Sequence, residues 1–241
     1  MRFPALFLAF FVSISTLFAQ EPGIAEKELA AATEALVKAP DSVPLLSHRG
    51  DCNLFTGHFA EAVADFEKMI ALDPSQDAPH WRLGIAYYFA GNFEKSAKQF
   101  EKYHVYDGHD RENGIWKFLA DARREGIEKA RTRMLAYDAF DREPFPSLYE
   151  MLAGRKSGDE VLAEIEKKGL AGNPNVEFFA HYYIGLNEEL LGRRDEAREH
   201  LKKAVAVYEG RRPSSSASYM WQVARLNVAA LKKPVAVEAK K

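Results

Sequence analysis

The sequence predicts an all-α protein, an α-solenoid built by stacking one helix–turn–helix unit. Three observations predict it. A pattern of glycine and aromatic positions recurs after 34 residues, with Gly50, Gly57, Phe59 and Phe66 falling under Gly84, Gly91, Phe93 and Phe100. Apolar residues recur at helical spacing nearly throughout the chain, and prolines and glycines punctuate it at the ends of those stretches.

The chain of 241 residues opens on a stretch that reads as an export signal. Arg2 supplies a positive charge, Ala5 to Phe18 form an apolar run of 14 residues broken only by Ser13, Ser15 and Thr16, and Leu17-Phe18-Ala19 offers a cleavage site before Gln20. A membrane span needs roughly 20 apolar residues, so residues 1–19 are expected to be a cleaved signal peptide rather than an anchor. Gln20 stands where a lipoprotein would carry its cysteine. The mature chain is therefore expected to be exported, periplasmic or secreted, soluble and without a lipid anchor. Cys52 is the single cysteine, so no intramolecular disulfide forms and packing alone must stabilise the fold. A net charge of −2 excludes the basic footprint of a nucleic-acid binder.

The array, expected over residues 20–232, begins with a helix from Glu26 to Ala39, stopped by Pro40. Clean units follow at about 43–76 and 77–110: "LLSHRGDCNLFTGHFAEAVADFEKMIALDP" matches "PHWRLGIAYYFAGNFEKSAKQFEKYHVYDG" position by position. The first glycine of each unit lets two helices approach closely. The second, seven residues later, suits a left-handed backbone where the first helix ends. The aromatic two residues on packs the start of the second helix, and a small residue with a later aromatic forms that helix's inner face. A third clean unit, at about 178–211, is "AHYYIGLNEELLGRRDEAREHLKKAVAVYEG", with Gly185, Gly192, Ala197, Leu201 and Ala204.

Residues 111–177 lack the signature glycines but keep helical spacing, with Trp116, Leu119 and Arg123 on one face. Pro144 and Pro146 break the chain, and "PSLYEMLAG" and "GDEVLAEIEKKG" then read as two shorter helices, the second capped at Ser157 or Asp159 and stopped by Gly169. This middle reads as two degenerate repeats, or as a helical insert of another kind. Serine N-caps then start a capping helix over 214–231, which covers the exposed face of the last unit. Residues 233–241 are expected to be a disordered tail.

The repeating unit resembles the tetratricopeptide repeat (TPR) family, whose 34-residue unit carries this Trp/Leu-Gly-Tyr, Gly-aromatic, Ala, Phe, Pro pattern. The resemblance implies a right-handed superhelical solenoid that binds other proteins. The order of good repeats, a degenerate middle with its "PFPSLYEMLAG" element, one more good repeat and a capping helix also resembles the NlpI-type periplasmic TPR adaptors. That likeness implies a homodimeric adaptor that brings envelope proteases and peptidoglycan hydrolases together. The chain departs from that group in lacking the lipidated cysteine.

In such arrays the first helix of each unit lines the concave side. That places Leu54 and Phe55, with Ser47 and Asp51, in the first unit; Trp81, Ile85, Tyr88 and Phe89 in the second; and Tyr182 and Leu186, with Phe179 and Leu190, in the third. An apolar, aromatic strip suits an extended or helical partner segment anchored by aromatics. The strip would also suit a neighbouring segment of the chain, a dimer contact, or plain core, with partner binding the favoured reading. The carboxylate-clamping TPRs use Lys and Asn where this chain has Trp81 and Ile85, which argues against that mode. Trp221 and Arg225, a turn apart on the closing helix, are further candidates.

Motifs for chemistry are sparse. HExxH, GxSxG, a Walker loop and SxxK do not occur. Arg49-Gly50-Asp51 falls inside a helix rather than on a loop. His48 and Cys52 share a helical face, but a buried structural cysteine explains them. His104, Asp107, His109 and Asp110 cluster at a repeat junction, where polar loop residues are expected. No catalytic residue, metal or cofactor is implied. The expectation is a non-enzymatic adaptor or scaffold. A structural subunit of an envelope assembly complex is the alternative, and a hydrolase with its site in the degenerate middle the remote one.

Overall fold

The computed structural model describes residues 23–211 and 213–232. The expected signal peptide and C-terminal tail lie outside these residues. Among the described residues the elements are helical: α1 (Ile24–Lys38), α2 (Val43–Phe55), α3 (Phe59–Leu72), a single 3-10 turn (Pro74–Gln76), α4 (Trp81–Phe89), α5 (Phe93–Tyr106), α6 (Arg111–Glu125), α7 (Ile127–Arg131), α8 (Phe145–Leu152), α9 (Gly158–Lys167), α10 (Pro174–Leu190), α11 (Arg194–Ala206) and α12 (Ser215–Lys232). Consecutive helices pack on one another from α1 to α7 and again from α8 to α12, as a solenoid requires. None of these helices is long and apolar enough to cross a membrane.

The recurring glycines act as their spacing suggested. A Cβ on Gly50 would lie 2.4 Å from the Phe66 ring, one on Gly84 would lie 2.7 Å from Phe100, and one on Gly185 would lie 2.8 Å from Leu201. Only a missing side chain lets α2 meet α3, α4 meet α5, and α10 meet α11 this closely. Gly57 and Gly91 leave their helices at φ +85° and +76°, a left-handed backbone that side-chain-bearing residues avoid.

The middle keeps the principle but moves the residue. One period after Gly84 stands the buried Phe118. Close approach passes instead to Gly114, where a Cβ would meet the Tyr137 hydroxyl at 2.5 Å and the Tyr149 hydroxyl at 3.0 Å. The second helix of this unit, α7, has shrunk to five residues, and residues 132–144 complete the packing without helix. In α9, Ser157 accepts from the Glu160 amide while the Glu160 carboxylate accepts from the Ser157 amide, a reciprocal cap.

The array curls until its parts meet across the concave side. Arg123 on α6 donates to Glu189 on α10 at 2.7 Å and to the Tyr88 hydroxyl at 3.1 Å. Tyr183 on α10 donates to the buried Glu112 on α6 at 2.5 Å, and Arg142 donates to the other oxygen of Glu112 at 2.6 Å. The helix α12 packs on α11 and α10 and also reaches α2, near the start of the chain.

Candidate functional site

The concave face of the first two repeats is built from α2 and α4. Its floor is apolar: Leu54 and Ile85 are fully buried, and Tyr88 is nearly so. Phe55 ends α2 and Trp81 begins α4, both partly exposed. Beside them lies one polar group. Arg82 pairs with Asp51 at 2.5 Å and donates to Ser47 at 2.8 Å, joining the two repeats through residues 31 and 35 positions apart.

This groove is filled by the chain itself. Tyr219 of α12 stands between Phe55 and Trp81, with ring centroids 4.7 Å from each and edge-to-face angles of 63° and 78°. That geometry is favourable for aromatic pairs, by about 0.5–1.5 kcal/mol beyond the area they bury. The phenol faces Asp51, yet the phenol oxygen and Asp51 Oδ1 are both buried without a hydrogen-bond partner. Burial pushes the Asp51 carboxyl above its ordinary value, opposed by the positive charge of Arg82. Burial, reinforced by the charge of Asp51, drives the Tyr219 phenol well above its own. The arrangement is an aromatic slot with a polar end, and a tyrosine lies in it.

The sequence-derived candidates divide accordingly. Leu54, Ile85, Tyr88, Tyr182, Leu186 and Trp221 are buried in the packed interior. Phe55, Trp81, Phe89 and Arg225 keep partial exposure. Phe89 packs on Phe59 at 5.2 Å, and Tyr182 reaches Asn227 of α12 at 3.3 Å. Trp221 donates its indole N–H to the Val205 carbonyl at 2.9 Å, tying α12 to α11. Arg225 stacks over the Trp221 ring at 5.1 Å and donates to Gln222. Of the alternatives the strip left open, the structure shows self-packing over the Phe55–Trp81 stretch.

Arg82, Tyr219, Arg123 and Glu189 belong to this face, and sequence reasoning missed all four. Arg82 is adjacent to Trp81 and lies in register with the first repeat, a usable signal. Nothing in the spacing of α12 pairs Tyr219 with residues more than 130 positions away.

The remaining motifs are structural. Arg49 forks onto Asp65 at 2.6 and 2.9 Å, and Asp51 is held by Arg82, so Arg49-Gly50-Asp51 is locked within α2. Burial pushes the Cys52 thiol up to about 12, and it lies 3.9 Å from His48, which itself pairs with Glu28 at 3.3 Å. A protonated thiol is no nucleophile. Among the described residues no group of three or more His, Cys, Asp or Glu could hold a metal ion.

Comparison with protein families agrees with this architecture. Two family models, each described as tetratricopeptide repeat, match the chain, one over residues 43–76 and the other over 179–210. The matches cover α2–α3, most of α10 and all of α11, the pairs that Gly50 and Gly185 bring together. Close helix pairing through these glycines, the left-handed exits and the two matched segments lead to one conclusion: the chain carries tetratricopeptide repeats and folds as an α-solenoid.

Proposed function

We propose that the protein is an exported adaptor that holds one cell-envelope protein near another, with a protease or a peptidoglycan hydrolase as a partner. The observation that carries the reading is the aromatic slot of Phe55 and Trp81 across the first two repeats, with the Asp51–Arg82 pair at its end. Aromatic residues and arginine in a partly desolvated recess are the usual anchors of a protein interface. The repeats supply a rigid frame, and the charge of the chain favours neither nucleic acid nor a strongly charged surface.

The test is affinity capture from envelope extract with the chain from Gln20, set beside a Trp81→Ala variant. Trp81 suits this better than Tyr88, which is buried and would destabilise the fold when truncated. Capture of a protease or cell-wall enzyme by the native chain, lost in the variant, supports the adaptor and its groove. Equal capture by both moves the site elsewhere.

A second reading, a structural subunit of an envelope assembly complex, draws on the groove being occupied from within the chain. It predicts stable incorporation into a large complex that the Trp81→Ala change leaves intact.

A further inference from the structure

The closing helix does two jobs on two faces. One face seats it on the last repeat: Ala217, Met220, Ala224 and Leu231 are buried, and Trp221 bonds to α11. A closing helix needs no more than that. The other face carries Tyr219 away from the last repeat and into the first two, where it meets Phe55, Trp81 and Asp51. Nothing in capping the last repeat calls for that second contact. It joins the groove to a helix tethered by the short segment 207–214.

We propose that α12 is a displaceable internal ligand: Tyr219 occupies the partner site, and the partner that replaces it is a helix presenting an aromatic side chain, tyrosine foremost, to the slot between Phe55 and Trp81. This deepens the adaptor reading and rests on it. The resident helix is the template for the partner's chemistry. The slot gives two aromatic rings to an aromatic side chain and, at its end, Asp51, whose Oδ2 is held by Arg82 and whose buried Oδ1 is left as a free acceptor for a hydroxyl seated closer than that of Tyr219. An aliphatic anchor would use neither.

The tether sets a quantitative expectation. A ligand on a short linker faces its own site at an effective concentration of at least about millimolar, and the buried seat of α12 on the last repeat raises that further. A free copy of α12 must compete with it, so binding to the native chain is no tighter than about that range whatever the intrinsic affinity. Weakening the resident copy lowers the apparent dissociation constant in proportion.

The test uses the full mature chain, its Tyr219→Ala variant and a fluorescent peptide of residues 213–232 as the probe, read by anisotropy. The expected result is binding to Tyr219→Ala at least tenfold tighter than to the native chain, with a peptide carrying its own Tyr219→Ala change at least tenfold weaker on that variant. Circular dichroism establishes that the variant is folded, and Tyr219→Leu replaces it if the alanine chain melts below the assay temperature. A folded variant that binds the peptide no better than the native chain overturns the proposal. So does equal binding of the alanine peptide, because the slot then does not read tyrosine. Envelope capture separates this from the adaptor reading. Partners captured more strongly by Tyr219→Ala support both. Partners captured equally by both chains leave the adaptor standing and overturn the plug. Peptide exchange with no capture by either chain overturns the adaptor reading and leaves the exchange itself established.

Discussion

Replacing Gly50 with alanine tests whether the first repeat packs as tightly as its geometry states. The added methyl would lie 2.4, 2.7 and 2.9 Å from three atoms of the Phe66 ring. The ring has nowhere to retreat, being fully buried, 4.7 Å from the His80 ring, with the Arg82 guanidinium 5.6 Å above it. In an ordinary helix interior the change would stabilise by roughly 0.5–1 kcal/mol through backbone entropy. Overpacking a filled core costs typically about 1–3 kcal/mol. The steric term wins, and the net loss expected is about 1–2 kcal/mol. For a chain of this length that is a fall in Tm of about 2–4 °C per kcal/mol. Urea titration followed by circular dichroism reads it. A double-mutant cycle with Phe66→Leu isolates the contact, since the smaller side chain makes room. The two changes should offset each other by about 1 kcal/mol relative to their sum. The reasoning is refuted if Gly50→Ala raises stability, or if the two changes simply add.

Three further outcomes follow, two from buried groups and one from a helix cap. Burial, partly opposed by Arg142, holds the Glu112 carboxyl up to about 8, so the folded chain binds more protons than the unfolded one between pH 4.5 and about 8. Stability from this group therefore falls as pH rises through that window. His80 and His181, lowered by burial from 6.5 to about 3 and about 4, act in the opposite sense but only below pH 6.5. The urea midpoint should thus decline from about pH 6.5 to 8 in the native chain and be flattened by Glu112→Gln; a native midpoint that is level there contradicts the assignment. Cys52, its thiol raised to about 12 and its side chain buried, should react with a thiol reagent at least roughly 100-fold more slowly in the folded chain than in urea, and comparable rates would mean that α2 is not packed as described. Ser157→Ala removes the reciprocal cap of α9 and should cost about 1 kcal/mol, with amide exchange accelerating in residues 158–167 before it does in α10; an unchanged exchange pattern would show that packing alone starts the helix.

What the sequence determined by itself was the local unit. Gly50 and Gly84, with Phe66 and Phe100 sixteen residues after each, state a close helix pair in one-dimensional form, because both partners lie within a single repeat. Gly57 and Gly91 likewise state the exits between helices. The helices of the middle were legible from their caps and prolines. The takeover of the packing role by Gly114 was not, because its partners Tyr137 and Tyr149 lie outside the repeat register.

The candidate groove was legible only in part. Helical spacing placed Phe55 and Trp81 on the concave side, since that depends on period and handedness within each helix. Which side chains of that face would meet water was a tertiary matter. It depends on how far the array curls, on α10 docking across it through Arg123–Glu189 and Glu112–Tyr183, and on a helix some 130 residues or more away returning to the first repeats. Such contacts leave no periodic trace in one sequence. Each is a single pairing at large separation, stabilised by burial that exists only once the superhelix has closed. The repeats are therefore written along the chain, and the filling of their groove by Tyr219 is decided by the shape those repeats make together.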